Sequence, residues 1–152
     1  MAYVTAEAQR ELLETVAEAV DQLASALASL GVAYEMLDEH NADVLEAQLF
    51  RPVQVAYGRL KRTHDGFAGR VRQPGRSFGA GAPASASGGV RGLLDSAVDT
   101  VGEADLILST LQDSMQPVEV GDAELRSGLA QVRELLGSLP TEARELVRTL
   151  GR

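Results

Sequence analysis

Residues 13–37 read LETVAEAVDQLASALASLGVAYEML, and their periodicity decides the fold class. Leu13, Val16, Val20, Leu23, Leu27, Leu30, Tyr34 and Leu37 recur at alternating steps of three and four, a heptad spacing that lines one side of a helix with apolar side chains. Such a seam is stable only against another apolar face. Gly31 falls within the run without shifting its phase, so the helix is expected to pass through it at a cost of about 1 kcal/mol relative to alanine. Upstream, Thr5 is the expected N-cap, with Glu7 and Glu11 well placed for the helix dipole.

The stripe would next fall on Asn41, within the polar run Asp38-Glu39-His40-Asn41-Ala42-Asp43. A turn near 38–43 is expected there, with Asn41 in a left-handed cap and Asp43 and Glu46 at capping-box spacing. A second helix should fold back on Leu45, Leu49, Val53, Ala56, Leu60, Phe67 and Val71, with Thr63 or His64 filling the gap. Pro52 deletes the hydrogen bond to Gln48 and predicts a kink near Phe50. From Gln73 to Gly89 the chain holds seventeen residues rich in glycine, alanine, serine and proline. This composition reads as a flexible linker or a draped loop.

Residues 90–152 repeat the logic. A third helix carries Leu94, Val98, Val101, Leu108, Leu111 and Met115, and a turn near 116–121 follows. The fourth opens at Asp122 and carries Leu125, Leu129, Val132, Leu136, Leu139, Ala143, Leu146 and Leu150, with Pro140 either kinking it or starting a last helix. The expected fold is all-α: an antiparallel four-helix bundle built from two long helical hairpins, 1–72 and 90–152, joined by the linker 73–89 in one domain over 1–152. Two open hairpins that pair with a second chain are the alternative. The linker leaves the topology open, because seventeen residues at up to ~3.3 Å each reach along the bundle as easily as they turn at one end. Deleting 79–87 is expected to leave the bundle folded, since loop length costs little.

Composition supports helices and removes several chemistries. The 152 residues include six aromatics and neither tryptophan nor cysteine. There is thus no disulfide framework, thiolate nucleophile or thiolate metal site. The start, Met1-Ala2-Tyr3-Val4-Thr5, lacks the basic and apolar regions of a secretory signal, and no apolar stretch is expected to approach the ~20 residues of a membrane span. A cytoplasmic protein without a membrane association is expected.

The net charge of −8 conceals a strong polarity. Residues 51–76 hold Arg51, Arg59, Lys61, Arg62, Arg70, Arg72 and Arg76 against Asp65 alone, while the remaining chain has seven basic residues against 21 acids. The segment attracts anions, with Tyr57, Phe67 and Phe78 available to stack on bases. Its Gly69–Gly81 part is similar to basic disordered RNA-binding tails. Thirteen arginines to one lysine also fit a G+C-rich bacterial genome. At the other end of the first hairpin stands an acidic tip of Glu35, Asp38, Glu39, Asp43 and Glu46. Carboxylates there could hold a hard cation, yet they lack the ligand alternation and the glycine of a calcium loop. Opposite charge at the two poles would make an electrostatic rod that self-associates head to tail.

Neither histidine has a glutamate three residues ahead, so the di-iron bundle motif is missing. About 31 Å of helix separates His40 from His64, too far to share a metal. His64 invites comparison with phosphotransfer domains, but those place lysine and glycine just after the histidine, whereas Lys61 precedes this one. No catalytic residue, cofactor or metal site is expected. The reading is a non-enzymatic helical-bundle module that self-associates as a homo-oligomer or docks a protein partner. The alternative is a weak polyanion binder acting through residues 51–76.

Overall fold

The computed structural model describes residues 2–150; Met1, Gly151 and Arg152, which the domain expected over 1–152 includes, lie outside the described residues. The chain is all-helical, with no strand among the described residues. Helix α1 runs Ala2–Met36, α2 Glu39–Leu45, α3 Arg51–Arg70, α4 Gly89–Asp113, α5 Gln116–Glu119, α6 Ala123–Gly137 and α7 Leu139–Leu150. Its long helices pack on one another, most extensively α1 on α4, then α3 on α6 and α1 on α3, with α4 also touching α6 and α7.

α1 owes its central place to a face wider than the heptad seam. Leu13, Val16, Val20, Leu23 and Leu30 are buried as the spacing requires, and beside them Leu12, Ala19, Ala26 and Ala33 form a second buried row at seven-residue intervals. Ala17 and Ala24 are buried too. Small side chains bring neighbouring backbones close, and α4 answers with Ala97 and Ala104 among Leu93, Leu94, Val101, Leu108 and Leu111. α1 is also the one helix among the described residues that is long and apolar enough to cross a membrane, over Tyr3–Met36. Here its apolar face is packed inside the protein.

Several local expectations are corrected. α1 starts at Ala2, so Thr5 lies inside the first turns and is not the cap. The turn is only Leu37 and Asp38: Asp38 is extended and accepts a 2.6 Å hydrogen bond from Asn41 Nδ2, which starts α2 at Glu39. Asn41 therefore sits in the helix, not in a left-handed cap, and Asp43 lies within α2 where no capping box forms. Where a kink is expected near Phe50, a π-helical turn at Glu46–Phe50 accommodates Pro52 in the first turn of α3. The Arg51 amide bonds back five residues to Glu46, so the ladder changes register just before the proline. At the C-terminal end, α6 stops at Gly137 and α7 begins at Leu139 with Pro140 in its first turn. Met115 was expected in the third stripe but is 49% exposed.

The segment 73–89 is irregular apart from a 3-10 turn at Ala86–Gly88, yet it makes specific contacts along α1. Gln73 Nε2 donates to the Ala6 carbonyl at 3.0 Å, and Arg76 pairs with Asp21 at 3.0 Å. Gly81 lies on the backbone of Ala24 and Ser25, where an added Cβ would come within 2.4 Å. The Ala84 amide donates to buried Ser29 Oγ at 2.9 Å. Val90 and Arg91 then line a common pocket with Leu37 and Asn41. The segment is a strap that climbs from the level of Ala6 to that of Leu37, roughly 46 Å at ~1.5 Å per residue of α1. This path argues against the expected tolerance of deletion, because the eight residues left after removing 79–87 reach less than ~30 Å.

The strap also sets chain directions. The start of α1 (Glu11, Thr15) lies by the end of α4 (Thr110, Leu111), and the end of α3 (Arg70) by the start of α6 (Asp122).

Candidate binding surfaces

The basic residues do not form one patch. Arg70 is held by α6: its Nε donates to Asp122 Oδ2 at 2.6 Å, its NH2 to Oδ1 at 3.0 Å, and its NH1 pairs with Glu124 at 2.9 Å. Asp122 at the same time caps α6, accepting the Leu125 amide at 2.8 Å. The hydrogen bond from Arg70, helped by the Leu125 amide and opposed by partial burial, holds its carboxyl below the ordinary 3.8. Arg70 is raised by the same bond.

Arg76 is drawn to Asp21 and lies over the Phe78 ring at 4.9 Å. Arg51 approaches Glu46 at 3.7 Å, and Lys61 sits 4.5 Å over the Tyr57 ring. Arg72 is exposed and left-handed, with φ +59°. Its conformation closes α3, for Arg72 N bonds Gly69 O and Gln73 N bonds Ala68 O in the Schellman pattern. Glycine usually takes that place, and arginine there carries backbone strain. Among the described residues, Arg59, Arg62 and Arg72 make no ion pair.

The aromatic residues divide likewise. Phe67 is fully buried, which corrects its reading as a stacking platform, because its ring fills the core below α3. Phe78 is half-buried and meets His64 edge-on at 5.2 Å. Tyr57 is half-buried beneath Lys61. His64 itself is 3% exposed, with Nδ1 2.9 Å from Asp65 Oδ1, and its burial removes it from phosphoryl chemistry.

The acidic tip does not converge. Glu35, Asp38, Glu39 and Asp43 are exposed, Asp38 is engaged by Asn41 and Glu46 faces Arg51. Among the described residues no group of three acidic or imidazole side chains is placed to hold a metal.

Two surfaces escaped the sequence reading. On the α3–α6 edge, Gly128 lies against Thr63: a Cβ at Gly128 would stand 2.3 Å from Thr63 Oγ1. The close approach opens a groove of about 310 Å³ lined by Arg59, Arg62, Thr63, Arg70, Glu124 and Ser127. The Nε of Arg59 is buried and has no hydrogen-bond partner among the described residues. A glycine at a core position of α6 was the only available signal, and spacing alone does not distinguish it from an exposed one.

The second surface is the pole formed by the start of α1 and the α4–α5 turn. Tyr3, Val4, Met115 and Val118 are exposed there. Gln9 Nε2 ties the two segments by donating to Val120 O at 3.1 Å. Met115 is left-handed, φ +67°, and leads into α5. A groove of about 640 Å³ between α1 and α4 runs up to it past Ser114 and Gln116, with Leu106 exposed on its wall.

Compared with protein families, curated proteins and solved structures, the chain has no match.

Proposed function

We propose that the chain is a non-enzymatic interaction module, an antiparallel four-helix bundle with a long crossover strap, that self-associates through its α1/α4–α5 pole. The order of contacts supports the bundle: α1, α3, α6 and α4 each touch the next in a ring, and the strap joins two helices that run the same way. The observation that carries the function is Met115. A β-carbon in the left-handed region costs about 1–2 kcal/mol where glycine would cost nothing, yet this position presents a half-exposed, adaptable side chain at the pole where Tyr3, Val4 and Val118 are also exposed. Clustered apolar exposure of this kind marks interaction surfaces.

A second copy is the occupant, related by a two-fold so that the pole meets itself. The expected result is a dimer in light scattering that becomes monomeric in the M115D/V118D variant, with helicity unchanged. A wild-type monomer at all concentrations would sink this reading.

The second reading, polyanion binding through residues 51–76, is favoured by three arginines without ion pairs, Arg59, Arg62 and Arg72, and by Lys61, which meets only the Tyr57 ring. It competes against the negative charge elsewhere on the chain. Salt-dependent binding to DNA or RNA is its test, and the expected affinity is weak.

A further inference from the structure

We infer that the α3–α6 groove is a site for a phosphoryl group carried by a small ligand, held between Arg59 and Arg62 with Ser127 on the opposite wall. This inference narrows the second reading to a discrete ligand and stands independently of the pole. Three guanidiniums, from Arg59, Arg62 and Arg70, line the groove against one carboxylate, Glu124. Glu124 is already satisfied by Arg70 at 2.9 Å, and Arg70 is itself taken up by Asp122. The positive charge left for a ligand is therefore that of Arg59 and Arg62.

Arg59 brings a buried Nε–H that nothing among the described residues accepts. A buried charged donor without an acceptor is costly; Arg59 lines the groove, and a turn of its side chain that brings Nε–H to an oxyanion there would remove that cost. Arg62 is exposed, and its NH1 lies close over Gly58, where a Cβ would come within 3.4 Å. The guanidinium thus lies back along α3 over the turn that carries Arg59. Ser127 Oγ accepts from Gln131 Nε2 at 3.3 Å, which leaves its own proton to donate. Thr63 is committed, since its hydroxyl donates to Arg59 O at 2.9 Å.

Two planar forks and a hydroxyl suit the several acceptor oxygens of a phosphoryl group better than a single carboxylate. One end of the groove is the Arg70–Glu124–Asp122 cluster, whose two carboxylates disfavour a long polymer. One or two linked phosphoryl groups fit; a nucleic-acid track does not.

The test is calorimetric titration of the full chain with inorganic phosphate and with pyrophosphate at constant ionic strength, alongside single-stranded oligonucleotides of increasing length. Saturable pyrophosphate binding is expected. R62Q, an exposed change that leaves the fold intact, should weaken it about tenfold or more, the loss of one charge-assisted pair. R51Q removes the same charge at a distant exposed site and should leave binding unchanged. Absence of saturable binding, an equal loss in R51Q and R62Q, or oligonucleotide affinity that exceeds pyrophosphate and grows with length would each overturn the proposal. The last outcome would restore the polymer reading.

Discussion

The α1–α4 edge and the α3–α6 edge do the same structural work with different materials. Across α1–α4, leucine, valine and rows of alanine close the gap with little polar help. Across α3–α6, a glycine faces a threonine, a buried histidine lies nearby, and the ends are tied by an arginine fork on a capping aspartate. The first edge derives its stability from buried area, which is insensitive to detail. The second depends on individual atoms, and it holds Arg59 Nε, the one buried side-chain polar atom among the described residues without a hydrogen-bond partner.

The sharpest way to break this contrast is through the strap along α1. Removing 79–87 should unfold the monomer or force the second half onto another chain, because too few residues remain to climb the helix. Thermal melting and light scattering distinguish these outcomes from a stable monomer, which would refute the crossover path. Next in size, Leu23→Asp places an unpaired charge at a fully buried position of α1 and should cost more than about 4 kcal/mol in denaturant titration. Unchanged melting would contradict the buried face.

Glycine substitutions invert the comparison. Gly128→Ala should cost about 1–3 kcal/mol by driving a methyl group into Thr63, with part of the loss recovered in the G128A/T63A double variant. Gly31→Ala on α1 meets nothing within 4 Å and should gain up to about 1 kcal/mol. Equal signs for the two would erase the distinction between the edges.

The smallest effect concerns the fork. Asp122→Asn keeps a capping oxygen but removes the charge that Arg70 engages, and the half-exposed pair limits the loss to about 1 kcal/mol. The pH dependence has a definite sign. Asp122 has a lowered folded value, so its contribution is present above the ordinary 3.8 and vanishes as pH falls through the folded value. Wild type and variant should converge in acid, and a gap that widened there would contradict the assignment.

The helical class and most buried positions were legible because 3.6-residue periodicity reports burial directly. Leu23, Leu60, Leu108 and Leu129 are in the core for that reason. The alanine row of Leu12, Ala19, Ala26 and Ala33 was missed because alanine is common on exposed and buried helix faces alike. Asp122 was legible as the opening of a helix but not as Arg70's partner, since 52 residues separate them. Phe67 and Phe78 were grouped by their place in the chain, yet burial separated them. Met115 kept the phase of its stripe and left the core only because the backbone turned left-handed there. The groove depends on Gly128 meeting Thr63 from another helix, which no local pattern records.

The strap also imposes an order in time. α4, the largest partner of α1, is completed 77 residues after α1 ends, from Met36 to Asp113. At ~5–20 residues per second on the ribosome, α1 exists for about 4–15 s before its principal neighbour is made. During that interval α3 is its helical neighbour, and then the strap emerges with glycine, alanine and serine against the backbone at Ala24 and Ser25. Those small residues cover little of the surface reserved for α4. The strap thus leaves that surface open for α4 and carries the chain to the end of α1 where α4 must begin.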